Sequence, residues 1–564
     1  MKSGLFLKIK YSDNDLWEHV KLTSRSGKCS GKYKNCWNTT NSAGMSKSID
    51  FDVCDWKIQT PIMENDDEVL LSEASESRKS SAVLQAKMNE LQSWKDEQVY
   101  TEVDNAGQSV ISVRWVISVK PDERKQDVVK ARLCARGFEE NQDFRTDSPT
   151  CKRESVRIVL LVISSHSWIL NSIDIKRAFL QGKRIEREVF IKPPKEASTD
   201  KLWRLDKCIY GLADAPRSWY LTFSRELVRL GCTVSKYDPS VFFFFHKDIL
   251  NGVMACFVDD EIWGGTDTFK KLVVDKLYEK FEVGSTHKKI FSFLGIYLHQ
   301  QEDMSIVIDQ NSFASSLNPI EVSAERLSRK HERILPAEEK QLRSLIGQLN
   351  WLSGISRPEV SFDVSAMTSR IKDATIEDLL YCNKVLKQVQ SHPTSILFPK
   401  IDVKSMALNT FCDSSFNNLP NGGSQGAYVI LLKDNSHNVV PIAWSSTKVR
   451  RVARSTVTAE TLALLDGCDA AFFYTHLILE VLGISSIPIH VMTDNQSLYE
   501  NVHSSKNTVE KRLVVDIAAL REMVNKKEIL LYKIDSSKNL SNVLTKKGAP
   551  SVTLTEPLQE GKLA

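Results

Sequence analysis

The sequence has almost no net charge, no paired-cysteine motif and no long apolar run. Its 75 Lys and Arg residues against 71 Asp and Glu residues leave a formal net charge of +4 in 564 residues, so any surface for a polyanion must be local. The 11 cysteines are scattered and none form a CxxC pair, which argues against a disulfide framework or zinc ribbon and for a reducing compartment. The N-terminus turns polar after a short apolar run, and SVFFFF is too short to span a membrane. These absences predict an intracellular, soluble chain without a signal peptide or a membrane partner.

The remaining pattern divides the chain into several segments, as its length requires, because one hydrophobic core does not grow to this size. Apolar residues that recur every 3.6 positions indicate helices, and strict alternation of apolar and polar residues indicates strands. Acidic, Ser-rich stretches without a period indicate linkers. From residue 405 the predicted order of elements is βββαβα, with a helix that begins at Thr456. The predicted segments are a strand-rich unit with a tryptophan core at 1–60, a linker at 61–80, a mixed α and β region at 81–300, a helical region at 301–400, a compact α/β unit at 405–548 and a disordered tail at 549–564.

Two adjacent carboxylates follow an apolar run in MACFVDDEIWGG, which is typical of a strand, a tight turn and a second strand. Successive strand residues face opposite sides, so Asp259 and Asp260 need a third carboxylate from a neighbouring strand to build a site. Asp174, at the end of the apolar strand in NSIDIKRAFLQG, is the natural candidate. Carboxylates without histidine or cysteine favour Mg²⁺ over zinc. Taken alone, the doublet is weak evidence for a metal site, and a solvated turn is the favoured interpretation.

The motifs around the doublet occur in an order that resembles copia-type LTR retrotransposon Pol polyproteins. They are KARLCARGFEE, SIDIKRAFLQG, LWRLDKCIYGLADAPRSWY, FVDDEIWGG and FSFLGIYL. The resemblance covers about 80–548 well. It implies a multidomain α+β and α/β fold: a right-hand polymerase with palm, fingers and helical thumb, followed by an RNase H-like α/β domain. It also implies that Asp174, Asp259 and Asp260 are catalytic and hold two Mg²⁺ ions, with Mn²⁺ as an alternative.

The same resemblance assigns three residues to the incoming nucleotide. Lys130 and Arg132 lie on a strand-like segment whose residues alternate in facing, and they would neutralise the triphosphate; the alternative is an exposed edge strand guarded by charge. Phe179 matches the aromatic position that blocks a ribose 2′-hydroxyl, and it also suits the core. Asp214 stands where many relatives have glutamine and receives no substrate role. Glu261 either adds negative charge beside the metal pair or faces away from it.

A second set of carboxylates resembles the RNase H site of the same family. Asp413 in LNTFCDSSF and Asp494 in TDNQS are expected at strand ends, and Glu460 in STVTAETLALLDG is expected on the facing helix. The resemblance implies that these three acids are catalytic and also bind two metal ions. The fourth family carboxylate falls at Asn542 in SSKNLSNVLTKKGA. Because an amide oxygen carries no full negative charge, one metal ion should bind more weakly. RNase H activity is therefore predicted to be weakened or lost.

The implied partners are an RNA template, a DNA primer, their hybrid and dNTPs. The hybrid would be held through its backbone and shape, so binding should weaken steeply with salt. The implied location is a cytoplasmic virus-like particle with other element-encoded proteins, with the nucleus as a second compartment. Residues 1–60 resemble an integrase C-terminal tail weakly, so the chain is expected to be the downstream part of a Pol polyprotein. The competing hypothesis is a decayed retroelement remnant that binds hybrid without turnover. A phosphodiesterase- or topoisomerase-like enzyme leaves KARLCARGF and YGLADAPRSWY unexplained.

Overall fold

The computed structural model describes residues 6–10, 17–25, 36–41, 46–50, 55–58, 73–121, 127–140, 143–419, 422–504 and 510–563. The chain divides into two compact units, Met1–Leu84 and Gln85–Ala564. The first unit contains an antiparallel sheet with strand order β4-β3-β2-β1-β5. Its strands are β1 (Phe6–Lys10), β2 (Trp17–Arg25), β3 (Cys36–Asn41), β4 (Ser46–Asp50) and β5 (Asp55–Ile58). The side chains of the predicted tryptophan core are not among those that the structure describes. Residues 61–72 of the predicted linker lie outside the described residues.

Helix α1 (Glu73–Asp96) corrects the expected end of the linker, because it begins eight residues before residue 81. The segment EASESRKS is polar and aperiodic, which disguised it as a linker, yet most of its residues are tolerated in a helix and glutamate is favourable near a helix N-terminus. In the second unit, the helix buries Leu91 and Trp94. Packing of the C-terminal turns therefore stabilises a helix whose first turns carry no apolar stripe.

The second unit continues with a long hairpin and a small sheet. Its next elements are β6 (Tyr100–Val103), β7 (Val110–Ile111), β8 (Val113–Pro121), β9 (Asp127–Ala135), α2 (Arg153–Ser165), β10 (Asn171–Ile175), β11 (Phe190–Ile191), β12 (Leu202–Leu205) and α3 (Ala215–Arg229). β8 pairs with β9 in antiparallel register, and a four-stranded sheet has the order β6-β12-β11-β7. The apolar segment RIVLLVISS forms α2 and is buried along its length, as predicted.

A six-stranded sheet carries the acidic hairpin. Its remaining elements are β13 (Thr233–Val234), β14 (Val241–His246), β15 (Ile249–Phe257), β16 (Asp260–Gly265), α4 (Asp267–Phe269), α5 (Asp275–Lys280) and β17 (Val283–Lys288), and the strand order is β13-β14-β15-β16-β10-β17. Phe242 and Phe244 pack with residues of α3, whereas Phe243 packs with residues of α2. Because both faces are covered by helices, β14 reads as a continuous apolar run rather than an alternating one.

The following region is mostly helical, as predicted for 301–400. Its elements are β18 (Ile290–Phe293), β19 (Ile296–Gln300), β20 (Ile306–Asp309), α6 (Asn311–Ser316), α7 (Ala324–Leu327), α8 (Pro336–Ile355), α9 (Ser361–Arg370), α10 (Ile376–Ser391) and β21 (Ile396–Phe398). The helices share a core of their own that includes Leu345, Leu349 and Leu379. The four strands form a separate sheet in chain order.

The C-terminal part is a mixed five-stranded sheet crossed by one long helix. Its elements are β22 (Ala407–Leu419), β23 (Gly423–Lys433), β24 (Val439–Lys448), α11 (Thr456–Leu482), β25 (Ile489–Thr493), α12 (Gln496–His503), α13 (Val514–Asn525), β26 (Leu530–Lys533) and α14 (Val552–Glu560). The strand order is β24-β23-β22-β25-β26; the first three strands are antiparallel, and β25 and β26 run parallel to β22. The predicted fold class is confirmed. The helix expected from about residue 508 is α13, and the structure adds α12 before it and β26 after it.

Two features of this C-terminal part differ from expectation. The tail was predicted to be disordered, but α14 packs against β21 and β24 and buries Leu554 and Leu558, four residues apart on one helical face. The sequence was also expected to lack any segment of membrane-spanning length, yet α11 is long and apolar enough by length and composition. This helix packs on β22 and β23 and carries the buried carboxyl group of Glu460, which is typical of a core helix.

A continuous hydrophobic core joins the hairpin-bearing sheet to the C-terminal sheet. At its centre, the guanidinium group of Arg157 on α2 lies 3.6 Å above the ring of Trp444 on β24 and donates to the carbonyl oxygen of Ile442 at 3.2 Å. Trp444 donates from Nε1 to the carbonyl oxygen of Ser353 at 2.8 Å. The buried guanidinium group thus satisfies backbone acceptors of two segments, because it also donates to the carbonyl oxygens of Gly354 and Ile355 at the end of α8.

Candidate active sites

The acidic doublet lies at the turn between β15 and β16, and the predicted third carboxylate is opposite it. Asp260 is the direct antiparallel partner of Asp174 on β10, so the two side chains share one face of the sheet. Asp259 lies in the turn, and its carbonyl oxygen accepts a hydrogen bond from the backbone N–H of Ile175 at 2.8 Å. The structure therefore brings Asp174, Asp259 and Asp260 to the same sheet edge, at the end of an apolar strand.

The electrostatics of this edge favour a cation. Burial raises the pKa of Asp259 above its ordinary value, the neighbouring carboxyl group of Asp174 raises it further, and Arg132 acts in the opposite direction. Carboxylates held together with too little positive charge are stabilised when a cation binds between them. An all-oxygen donor set without histidine or cysteine fits Mg²⁺ or Mn²⁺.

Glu261 faces away from these aspartates, which decides between the two interpretations of its sequence position. It pairs with Ile173 and Cys256, on the opposite face of the sheet from Asp260. Its side chain is 0% exposed, and both carboxyl oxygens lack a hydrogen-bond partner. Burial raises the pKa of Glu261 well above its usual value, and Asp260, Asp259 and Asp174 raise it further. Burial without a hydrogen-bond partner thus favours the neutral form of this carboxyl group in the core below the site.

Replacing Glu261 by glutamine is expected to stabilise the fold, and more so as pH rises. The folded-state pKa of Glu261 is raised, so the stabilising protonation is complete below its unfolded pKa, and stability falls as pH increases above that value. Glutamine cannot ionise and loses this pH dependence, so at pH 8 the thermal midpoint should rise by about 2–6 °C. Thermal melts of both proteins from pH 5 to pH 8 measure the effect. Glu302→Gln, at an exposed position, is the matched control and should show no growing difference.

Arg132 and Phe179 converge on a residue that the sequence reasoning missed, Tyr210. The guanidinium group of Arg132 lies 5.2 Å from the centroid of the Tyr210 ring, and the edge of the Phe179 ring meets the same ring at 5.0 Å between centroids. Burial raises the pKa of Tyr210 to about 12, while Arg132 opposes the shift. Lys130 lies two residues before Arg132 on the same exposed face of β9. Phe179 is half-buried and belongs to both the core and this cluster.

The backbone explains how Tyr210 reaches β9. Its carbonyl oxygen accepts a hydrogen bond from the N–H of Ala135 at 2.7 Å. The next residue, Gly211, has φ +90°, and a Cβ atom there would lie 2.1 Å from the carbonyl oxygen of Ala135. Only glycine permits this approach. The aromatic residue before glycine in YGLADAPRSWY was the available sequence signal.

Asp214, for which no substrate role was predicted, forms an ion pair with Arg187. Arg187 donates to Asp214 Oδ1 at 2.9 Å and to Glu140 Oε1 at 2.7 Å, and its guanidinium group lies 4.2 Å from the centroid of the Phe144 ring. A shared Arg fork of this kind fixes the loop before α3. The side chain at 214 is thus engaged in an ion pair.

The C-terminal acids form a tighter group than Asp174, Asp259 and Asp260 do. Ligand oxygens of Asp413, Glu460 and Asp494 lie within 4.8 Å of one another, and among the described residues this is the acidic group that meets that criterion. Asp494 follows β25 directly, as predicted, and Glu460 lies in the second turn of α11. Asp413 was expected at a strand end but lies in the middle of β22, which continues through polar residues to Leu419. Strand pairing, not hydrophobicity, extends β22 beyond the apolar pattern.

These three carboxyl groups repel each other strongly. Asp413 is 2% exposed and Glu460 is 5% exposed. Burial raises the pKa of Glu460 to about 8, with further contributions from Asp413 and Asp494. Burial likewise raises the pKa of Asp413, whereas Lys546 and a hydrogen bond from Thr545 lower it. A divalent cation among the oxygens would relieve this repulsion, so the residues fit a hard metal ion.

Asn542 is connected to this group through Lys546 and Ser536, and its amide is already hydrogen-bonded. Its Oδ1 atom accepts a hydrogen bond from Lys546 Nζ at 2.9 Å, and its Nδ2 atom donates to the carbonyl oxygen of Ser536. Lys546 Nζ also lies 3.6 Å from Asp413 Oδ2, and Ser536 donates to Asp494 Oδ2 at 2.5 Å. The sequence reasoning missed Lys546, which brings an ammonium group to the position where a fourth carboxylate was expected.

Comparisons with known proteins agree with the motifs. Residues 97–324 match the family described as reverse transcriptase (RNA-dependent DNA polymerase). The chain is 26% identical over 460 residues to the retrovirus-related Pol polyprotein from transposon RE2 of Arabidopsis thaliana, covering 78% of this chain and 31% of the relative. It is 23% identical over 509 residues to the retrovirus-related Pol polyprotein from transposon TNT 1-94 of Nicotiana tabacum, covering 84% of this chain and 37% of the relative. The resemblance to copia-type polyproteins is confirmed.

The chain spans about a third of the length of these relatives. Among solved structures, the foamy viral protease-reverse transcriptase in complex with dsDNA matches with 16% identity and a TM-score of 0.24, covering 80% of this chain and 81% of that chain. A similarity at this level adds nothing to the assignment of individual residues, which depends on the geometry above.

Proposed function

We propose, from the match of residues 97–324 to the reverse transcriptase family, that the chain is an RNA-directed DNA polymerase with a weakened RNase H site. The observation that carries the proposal is the register of Asp174 against Asp260, with Asp259 in the adjoining turn and Arg132 electrostatically coupled to it. Three carboxylates at one sheet edge beside a cationic side chain suit nucleotidyl transfer to a primer end.

Each residue has a definite task in this proposal. Asp174, Asp259 and Asp260 would hold two Mg²⁺ ions, which, when bound, favour ionisation of the primer 3′-hydroxyl and neutralise the leaving pyrophosphate. Arg132, with Lys130 on the same face of β9, would pair with the triphosphate of the dNTP. The rings of Phe179 and Tyr210 would form the wall against the sugar, so a ribose 2′-hydroxyl would meet an aromatic surface.

The C-terminal group would act on the RNA strand of the hybrid. Asp413, Glu460 and Asp494 would hold the metal ions, and the close approach of their oxygens supports this role. Asn542 supplies a neutral oxygen in place of a fourth carboxylate, and Lys546 already occupies that oxygen. Weaker RNase H activity follows, because one ion is held by fewer charges.

The proposed partners are an RNA template, a DNA primer and dNTPs. The decayed remnant remains a second candidate, and the specific observation in its favour is Asn542. The two candidates differ in one result. Both bind an RNA–DNA hybrid with an affinity that falls steeply with salt, but only the polymerase extends the primer.

Primer extension on an RNA template with dNTPs and Mg²⁺ therefore tests the proposal. Extension products that disappear in the presence of EDTA would support the polymerase. Hybrid binding without extension in either Mg²⁺ or Mn²⁺ would establish the remnant instead.

A further inference from the structure

The turn that carries Asp259 is held by a side chain from another element. Trp219 on α3 is 1% exposed, and its Nε1 atom donates a hydrogen bond to the carbonyl oxygen of Val258 at 2.6 Å. A buried indole N–H is costly without an acceptor, so this bond fixes both partners. Val258 directly precedes Asp259.

The backbone of Val258 requires such support. Its φ angle is +64°, in the left-handed region that a β-branched residue rarely adopts. Without external contacts, the turn would relax towards a conformation with negative φ, which would move the following carboxylate. The turn is held from two sides, because the next carbonyl oxygen, that of Asp259, accepts from the N–H of Ile175 at 2.8 Å.

Trp219 is itself rigidly packed. Its ring centroid lies 5.5 Å from that of Phe223 and 5.2 Å from that of Phe281. The three rings belong to the core cluster that includes the partly buried side chain of Val258. A donor fixed by its neighbours transmits its position to the acceptor.

We propose that Trp219 is a positioning residue for the polymerase metal site. Its indole N–H holds the carbonyl oxygen of Val258, whose backbone is strained, and so sets the direction of the Asp259 carboxylate. This inference rests on the proposed function, since it assigns Asp259 to metal. It gives the tryptophan of YGLADAPRSWY a role at the catalytic hairpin rather than in the core alone.

The test is Trp219→Phe, which keeps an aromatic ring and removes the donor. Trp444→Phe is the matched control, because it removes another buried indole donor, 6% exposed, whose acceptor is the carbonyl oxygen of Ser353. Both changes are made in the full chain together with Asp494→Asn, which disables the C-terminal metal group. Mn²⁺ binding is then followed by electron paramagnetic resonance of the free ion.

Trp219→Phe is expected to weaken Mn²⁺ binding about tenfold, whereas Trp444→Phe leaves it unchanged. In primer extension, kcat should fall about tenfold while the dNTP KM changes by less than about twofold. Equal Mn²⁺ affinities and equal kcat values for the two variants, with similar losses in thermal midpoint, would overturn the inference. Failure of the parent chain to extend would defeat the proposed function alone, because the Mn²⁺ isotherms still decide this inference.

A rescue separates backbone strain from loss of packing. Glycine adopts positive φ without penalty, so adding Val258→Gly to Trp219→Phe should restore at least part of the Mn²⁺ affinity and of kcat. No recovery would contradict the role assigned to the clamp.

Discussion

Replacing Asp259 by asparagine is expected to lower the rate of primer extension by about 10³-fold or more. The substitution keeps the size of the side chain and its place in the β15–β16 turn, but removes the charge that faces Asp174. Bound metal ions stabilise the charge that develops in phosphoryl transfer by several kcal/mol. Loss of one of the carboxylates that would hold the two metal ions is therefore expected to remove most of the rate acceleration.

The same substitution should not destabilise the fold. The pKa of Asp259 is raised by burial and by Asp174, so the carboxylate is held at an unfavourable position without metal. Asparagine relieves that repulsion, and the thermal midpoint without metal should be unchanged or higher. An active site that loses activity without losing stability is the expected signature of a functional residue.

Asp248→Asn is the matched control for this experiment. Asp248 is exposed, lies in the turn between β14 and β15 at the other end of β15, and has φ +61°, which asparagine tolerates. Extension should remain at the wild-type rate. Equal activity of Asp259→Asn and wild type would remove Asp259 from the metal site.

Replacing Asn542 by aspartate is expected to raise hydrolysis of the RNA strand by roughly 10- to 100-fold, the range that changes around metal ligands commonly cover. The new carboxylate would add the missing negative charge beside Asp413 and Asp494. It would also pair with Lys546, which now contacts Asn542 Oδ1 at 2.9 Å and lies near Asp413. The Mg²⁺ concentration for half-maximal hydrolysis should fall, while primer extension is unchanged.

Cleavage of a labelled RNA–DNA hybrid across a Mg²⁺ titration measures this gain. Asn525→Asp adds the same charge at an exposed position at the end of α13 and should not alter cleavage. Asp494→Asn in the Asn542→Asp chain should abolish the gain. If the Asn542→Asp variant cleaves the RNA strand no faster than the wild type, the amide at position 542 is not the cause of the weak RNase H activity.

The sequence allowed the acids to be predicted, because their chemistry is local. An apolar strand that ends in FVDD, a second that ends in Asp174, and a helix that begins at Thr456 each specify an element and a position along it. Family motifs in the right order then joined segments that are far apart. Register completed the site by placing Asp260 opposite Asp174.

The remaining features depend on contacts between distant residues. The facing of Glu261 follows from the two-residue turn between β15 and β16. Its burial follows from its place opposite Cys256, which packs in the core beside residues of α3. Trp219 and Tyr210 are ordinary core aromatics by composition, and only the fold shows that one reaches Val258 and the other Arg132. Helix α14 has two buried leucines and a proline, too weak a pattern to predict a helix without the sheet beneath it.

The most direct test of RNA-directed synthesis is single-nucleotide addition by the wild-type chain. A DNA primer on RNA templates that differ only in the next base is offered each dNTP separately with Mg²⁺. We expect addition of the complementary nucleotide only, and none without a divalent ion. Addition that ignores the template base, or no addition despite a bound hybrid, would contradict it.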